Sequence, residues 1–352
     1  MRSRSTGFKL LFLADTHLGF DQPVRPRVDR RRRGPDFLAN FRRVLAAAVE
    51  ERVDLVLHGG DLFFRSKVPD AIVDQVYGAL LSFAEHGIPL VIVPGNHERS
   101  RLPTSLFLRH PNIHVFNEPR TFRFDLGGAR VALAGFPCVR KSVRAGFPEL
   151  MSATGWNDEP ADVCLLCLHQ TVEGATVGPA GYTFRNGHDV IRQRDLPGHF
   201  HAVLAGHIHR HQILKVTSVE ITPLPVIYPG SIERTSFAEA DETKGYCRLT
   251  FGPSPGGDWA LARTEFVPLP ARPMVTVALP DQLAQNGVAD FLAGVARDAP
   301  PDAIVRFTGS GVVSPDVRRA LGSSRLASTL PPTMNFQFGA GFFLDRDRKR
   351  KP

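Results

Sequence analysis

Five short polar clusters in this 352-residue chain carry the side chains best suited to holding cations. They are Asp15-Thr16-His17, Gly59-Gly60-Asp61, Gly95-Asn96-His97-Glu98, the lone His169, and Gly206-His207-Ile208-His209. Asp15, Asp61, Asn96 and the four histidines 17, 169, 207 and 209 give seven nitrogen and oxygen donors with no thiolate among them. That mixture suits Mn2+, Fe or a borderline divalent ion better than a structural zinc site. Seven donors exceed what one tetrahedral ion takes, but they serve two ions if one carboxylate bridges them. Two ions about 3.5–4 Å apart clamp both oxygens of an in-line phosphoryl displacement and acidify a water between them. Gly60, Gly95 and Gly206 stand beside donors and permit the tight turns that aim them inward.

Each cluster follows a short apolar run. Lys9–Ala14, Asp54–His58, Leu90–Val93, Val163–Leu168 and Ala202–Ala205 have the length and composition of buried strands. Phe37, Phe41, Val44, Leu45, Ala48 and Val49 recur at helical spacing before the second run, and Val73, Val76, Tyr77, Leu80, Leu81 and Ala84 before the third. Strand–helix–strand–helix–strand implies an α/β core with parallel strands inside. In such sheets ligands bind outside the carboxyl ends of the strands, so the five clusters are expected to converge. Turn-punctuated runs from residue 113 onward (Ile113–Phe116, Thr121–Asp125, Val131–Ala134) predict a second, partly antiparallel sheet facing the first.

Pro and Gly crowd residues 252–273, after which Met274–Leu279, Val288–Val295 and Ala303–Phe307 read as a βαβ unit. The expected organisation is a large domain over 1–265, a small one over 266–340 and a basic, disordered tail over 341–352. The net charge of +8 comes from 43 basic and 35 acidic residues. It is concentrated in an arginine loop (Arg25, Arg27, Arg30, Arg31, Arg32, Arg33) and in the tail, and the rest is nearly neutral. Clustered guanidiniums eight residues beyond His17 suit sequence-independent contacts with a phosphate backbone, and Arg30–Arg33 are the expected nucleic-acid contacts. Four cysteines are too few for a disulfide framework and fit a reducing compartment. No apolar run approaches the roughly 18 residues of a membrane span, so a cytoplasmic protein without a membrane partner is expected.

Asp-x-His, Gly-Asp, Gly-Asn-His-Glu, His and Gly-His-x-His, in this order over about residues 9–210, resemble the calcineurin-like metallophosphoesterase signature. A narrower resemblance follows. Tyr228–Phe237, then Lys244-Gly245-Tyr246, then Phe266–Pro273 leading into the βαβ unit, are similar to the SbcD-type DNA repair exonucleases, bacterial counterparts of the meiotic recombination nuclease. The resemblance implies a layered α/β/β/α core, two facing mixed sheets flanked by helices, with a small C-terminal α+β domain that caps DNA. It implies one ion held by Asp15, His17, Asp61 and His209, and a second held by Asp61, Asn96, His169 and His207. His97 would face the scissile phosphate and protonate the leaving oxygen, with Glu98 orienting its ring. The implied activity is DNA hydrolysis by a metal-bridging hydroxide, with two divalent ions, Mn2+ by preference, as cofactors. The implied partners are DNA, an SbcC-type ABC ATPase and a second copy of the chain. Two departures stand out: Phe64 occupies a position where many family members carry His, and no docking segment for an ATPase follows Phe343.

Two other readings remain at this point. One is a phosphoprotein phosphatase or a nucleotide or cyclic-nucleotide phosphodiesterase on the same scaffold; the other is a non-catalytic interaction module. The arginine loop, the βαβ unit and the Ser231–Phe237 stretch favour DNA, and a complete donor set argues against a module. Cys164-Leu165-Leu166-Cys167 reads as two packing cysteines in an apolar strand. His58 fits either a core residue or one behind the donors. His199, His201 and His211 read as surface or outer residues, and His86, His110, His114 and His188 as structural.

Overall fold

The structure is a computed structural model that describes residues 7–22, 29–103, 109–216, 223–309 and 313–339. Arg25, Arg27 and the expected tail, 341–352, lie outside these residues. The chain forms two compact units: Met1–Phe20 with Gly34–Pro270, and Asp21–Arg33 with Ala271–Pro352.

Two six-stranded mixed sheets build the first unit. One runs in the order Trp259–Pro268, Gly245–Pro253, Phe8–Leu13, Leu55–His58, Leu90–Ile92, Ile113–Val115. Its last four strands are parallel, and Gly245–Pro253 pairs antiparallel with Phe8–Leu13. The other runs Gln212–Val216, Leu224–Tyr228, Ala202–Gly206, Val163–His169, Ala129–Gly135, Arg120–Leu126, parallel except at its two outermost pairs.

Side-chain alternation along the strands explains the layering. In Phe8–Leu13, Leu10 and Phe12 join Leu57, Val131, Leu165 and Leu204 in a core between the sheets. Leu11 and Leu13 point the other way, onto Phe37, Phe41 and Val44 of the helix Gly34–Glu50 and Val76 and Leu80 of the helix Asp70–Ala84. In the second sheet Leu166, Leu168, Val203 and Ala205 pack on Phe147 and Met151 of the helix Val143–Ala153. Each sheet is thus buried on both faces, which is why its central strands read as continuous apolar runs. Cys164 and Cys167 fall on opposite faces of Val163–His169, one toward the helix and one between the sheets, so they do not form a ligand pair.

The first part of the Pro/Gly-rich stretch is a hairpin turn. Ser254 N–H donates to Asp258 O and Gly257 N–H to Ser254 O, joining two long strands of the first sheet. The expected boundary at 265/266 therefore falls inside the strand Trp259–Pro268, and the division comes after Pro270.

The second unit holds a three-stranded parallel sheet, Met274–Ala278, Ile304–Thr308 and Asn335–Phe338, with the helix Val288–Asp298 and the shorter helices Pro315–Ala320 and Ser323–Thr329 between strands. Its core gathers Val288, Leu292, Val305, Phe307, Leu326 and Met334. Among the described residues no helix is long and apolar enough to cross a membrane.

Candidate metal centre

All five polar clusters stand at the carboxyl ends of parallel strands in the first unit. Asp15 and His17 follow Phe8–Leu13, Asp61 follows Leu55–His58, and Asn96 and His97 follow Leu90–Ile92. His169 closes Val163–His169, and His207 and His209 follow Ala202–Gly206. The backbone turns sharply there. Asp15, His17, Asp61 and His207 all have left-handed φ angles, of 51°, 45°, 52° and 84°. That conformation costs a side-chain-bearing residue on the order of 1–3 kcal/mol, and it persists only where surrounding bonds enforce it. Here Asp15 N–H donates to Gly60 O at 2.9 Å and His17 N–H to Asp61 O at 3.0 Å, stitching the first two loops together. Gly60 (φ +107°) is required twice over: a Cβ there would collide with the His169 ring as well as strain the backbone.

The donors converge. Asp15, His17 and His209 form one group of ligand atoms lying within 4.8 Å of one another, His17, Asp61 and His97 a second, and Asp15, Asp61 and His169 a third. Asp61 shares one group with His17 and another with His169. His169 Nε2 lies 3.4 Å from Asp61 Oδ2 and 3.1 Å from Asn96 Oδ1. The His207 backbone N–H donates to both oxygens of Asp15, and its ring lies edge-on to His169 with centroids 5.1 Å apart.

The cluster fits divalent cations on its own chemistry. His169 Nδ1–H donates to Gly59 O at 2.8 Å, and His209 Nδ1–H to Glu239 at 3.2 Å. Both rings therefore turn Nε2 to the centre, the nitrogen left to ligate an ion; with no cation beside them, and against the effect of burial, Asp61 holds the His169 imidazole up at about 9 and Glu239 raises that of His209. His209 Nε2 lies 2.9 Å from His17 Nε2, while the buried His17 Nδ1 has no hydrogen-bond partner among the described residues. Burial holds the His17 imidazole well below its usual pKa and takes His207 down to about 3, so both are in the neutral form that binds metal. Burial pushes the Asp15 carboxyl up to about 6, a cost that a neighbouring cation would relieve.

A family model for calcineurin-like phosphoesterases matches residues 8–211, the stretch that contains every one of these donors. The chain belongs to the calcineurin-like phosphoesterase family. Proteins called DNA double-strand break repair protein Mre11 are among the relatives of this phosphoesterase. The one from Archaeoglobus fulgidus is 26% identical over 88% of this chain and 70% of its own length. That of Halobacterium salinarum is 28% identical over 90% and 75%, and that of Haloferax volcanii 29% over 70% and 50%. The phosphoesterase thus spans half to three quarters of these relatives' lengths.

Two residues of this phosphoesterase take places the motif reading did not foresee. His97 is a third exposed at its side chain, with Nε2 3.8 Å from Asp61 Oδ2. Its Nδ1–H donates to the Phe64 carbonyl, and Glu98 does not touch the ring. The buried Glu98 instead accepts from Phe63 N–H at 2.6 Å and Gly95 N–H at 2.9 Å, fastening the second loop to the third. His58 is a buried support: it accepts from Gly60 N–H and donates to Thr16 Oγ1, whose hydroxyl passes on to Leu62 O.

The arginine loop is a correction. It belongs to the second unit, where the Arg30 guanidinium, 7% exposed, donates to the carbonyls of Ala327, Leu330, Pro331 and Met334 and lies over the Phe336 ring. Arg33 is also buried, and Arg32 pairs with Asp21, so the four arginines do not present one phosphate-binding face. Sequence reasoning passed over another set of cations. Arg65 and Lys67, Arg99 and Arg101, and Arg140 and Lys141 are exposed on three loops of the phosphoesterase's first unit. Hydrogen bonds from His97 to Phe64 O, Ser100 to Cys138 O and Gln170 to Val139 O tie these loops to one another and to the donor cluster. None of the six has an ion pair among the described residues. Their signal was present: each pair lies five to nine residues after the end of an apolar strand.

Proposed function

We propose that the chain is a two-metal DNA nuclease, an exonuclease that hydrolyses phosphodiester bonds in the repair or processing of DNA ends, with Mn2+ as its working ion. The observation that carries this reading is the convergence of seven nitrogen and oxygen donors around Asp61, with the partly exposed His97 Nε2 turned toward the same carboxylate. One ion would rest on Asp15, His17, Asp61 and His209, and the other on Asp61, Asn96, His169 and His207. Bound there, two divalent ions would supply an acidified water and offset the charge of the reacting phosphoryl group.

The protein's own part follows from its geometry. With Nδ1–H held by Phe64 O, His97 has only Nε2 free to carry a proton to the departing sugar oxygen, a general-acid role suited to an imidazole. The six cations around the site suit a DNA backbone, contacting phosphates without reading bases. Names of the relatives support DNA over a small phosphodiester. The second unit is the reading's DNA-capping element, and Arg31 and Arg32 remain its candidate contacts. An SbcC-type ATPase and a second copy of the chain are its expected partners.

End-labelled linear duplex and closed circular DNA, incubated with Mn2+ or chelator and with wild-type or Asp61→Ala protein, test substrate and reaction together. Release of nucleotides from linear ends by wild type with Mn2+ alone is the expected result. Hydrolysis of an aryl phosphodiester with both DNAs left intact would overturn the DNA assignment.

A further inference from the structure

We infer that Glu239, gripped by the buried Lys244, is a positioning residue that fixes which nitrogen of His209 faces the metal centre. Neither belongs to the donor motifs. Glu239 Oε1 accepts from His209 Nδ1–H at 3.2 Å and from Thr235 Oγ1–H at 2.7 Å, with Ser236 Oγ at 3.3 Å. Its Oε2 lies 2.8 Å from Lys244 Nζ, and Lys244 itself is only 1% exposed. The same ammonium donates to the His209 backbone carbonyl at 2.9 Å and to Glu242 at 2.8 Å. One lysine thus holds His209 by its main chain directly and by its ring through Glu239. Glu242 is matched in turn by Arg210 at 3.0 Å, so two carboxylates face two cations and neither acid stands uncompensated.

Among the described residues every group that reaches the Glu239 carboxylate is a donor: an imidazole N–H, two hydroxyls, an ammonium and the Thr235 backbone N–H. A group that only accepts is needed in that position. Its effect is on the ring. While Nδ1 donates to Glu239, Nε2 is the nitrogen left to offer a lone pair to an ion, and it is the atom that lies 2.9 Å from His17 Nε2. Carboxylates that hold ligating histidines in this way raise metal affinity by about 10–100-fold. The inference rests on the two-metal reading, since it concerns the fitness of His209 as a ligand.

Glu239→Gln tests it, because the amide inserts a donor among donors while keeping the shape. Mn2+ binding is followed by titration calorimetry without nucleic acid, and ring nitrogens by long-range 1H–15N spectra of the metal-free protein. Wild type is expected to bind two ions and to show His209 protonated at Nδ1. The variant is expected to lose about 10–100-fold at one site, keep the other within about threefold, and show a mixed His209 tautomer. A role in folding alone would lower the melting temperature without separating the two sites. Two ions bound by the variant with wild-type affinities would overturn the inference and leave the two-metal reading standing. Wild type that binds no Mn2+ would overturn that reading, and this inference with it. Should the variant fail to fold, wild-type spectra with His209 protonated at Nε2 and bare at Nδ1 would overturn it unaided; Thr235→Val, which removes one bond to Glu239, is expected to show a smaller loss at the same site.

Discussion

The ring of His97 is held by the main-chain carbonyl of Phe64, three residues past Asp61, and not by the carboxylate of its own neighbour Glu98. The loop that presents Asp61 therefore also sets the direction in which His97 Nε2 points. Glu98 works on the opposite side, keeping that loop in register with the one bearing Asn96.

The two residues should accordingly fail in different ways. His97→Ala is expected to retain both Mn2+ ions, measured by elemental analysis, while DNA hydrolysis slows by about 10²–10⁴-fold. A variant with full metal and an unchanged rate would remove His97 from the chemistry.

Glu98→Ala leaves two buried backbone N–H groups, of Phe63 and Gly95, without acceptors. At about 1–3 kcal/mol each, the loss should appear as a clear drop in melting temperature, together with weaker Mn2+ binding as the loops part. Unaltered thermal unfolding would show that Glu98 is not a structural tie.

Gly60→Ala should be worse than its size suggests. The added methyl meets the His169 ring, and the position demands φ of +107°. Reduced stability and loss of Mn2+ at the site that includes His169 are expected; a protein that melts and binds like wild type would contradict the packing described around Gly60.

Charge removal on the two arginine-bearing regions should separate cleanly. Serine at Arg65, Lys67, Arg99, Arg101, Arg140 and Lys141 is expected to flatten the dependence of DNA affinity on salt, by about 0.9 in log–log slope for each phosphate no longer neutralised. Arg30→Ala should leave the slope nearly unchanged and instead destabilise the second unit, by about 2–4 kcal/mol, through carbonyls left without a donor. Equal slopes for wild type and the sixfold variant would discard those loops as the DNA face.

The thiols should be inert. Burial pushes Cys138 and Cys247 up to about 12 and raises Cys167 further, and only the thiolate reacts with alkylating reagents. At pH 8, well below those values, the native protein is expected to label far more slowly at these three positions than the unfolded chain. Rapid labelling of Cys167 in the native state would contradict its place between the sheets.

Much of the centre was legible because its donors sit where strands end, and strands announce themselves by apolar runs. Asp15, Asp61 and His169 could be placed from that rule alone. What could not be read were interactions between segments far apart in the chain. Nothing local marks Glu239 as the partner of His209, 30 residues earlier, or Arg30 as a donor to carbonyls near Met334. The cluster of arginines looked like a surface because guanidiniums usually are one. The Pro and Gly residues from 252 onward marked a change of composition, and hairpin turns use the same residues as domain boundaries do. Left-handed φ at Asp15, His17 and His207 was equally invisible, since only glycine advertises that conformation in sequence.

The assignment of Asp21–Arg33 to the smaller unit has a topological consequence. The polypeptide crosses between the two units three times, at 20/21, 33/34 and 270/271. The smaller unit is therefore not an appendage that a single cut at its start would release. A chain shortened to end at Pro270 would keep the Asp21–Arg33 excursion while deleting its hosts, stranding the Arg30 cation without the carbonyls it donates to. Excision of either body as an independent piece must deal with that excursion, by replacing it with a short link or by carrying it along on a rejoined, permuted backbone.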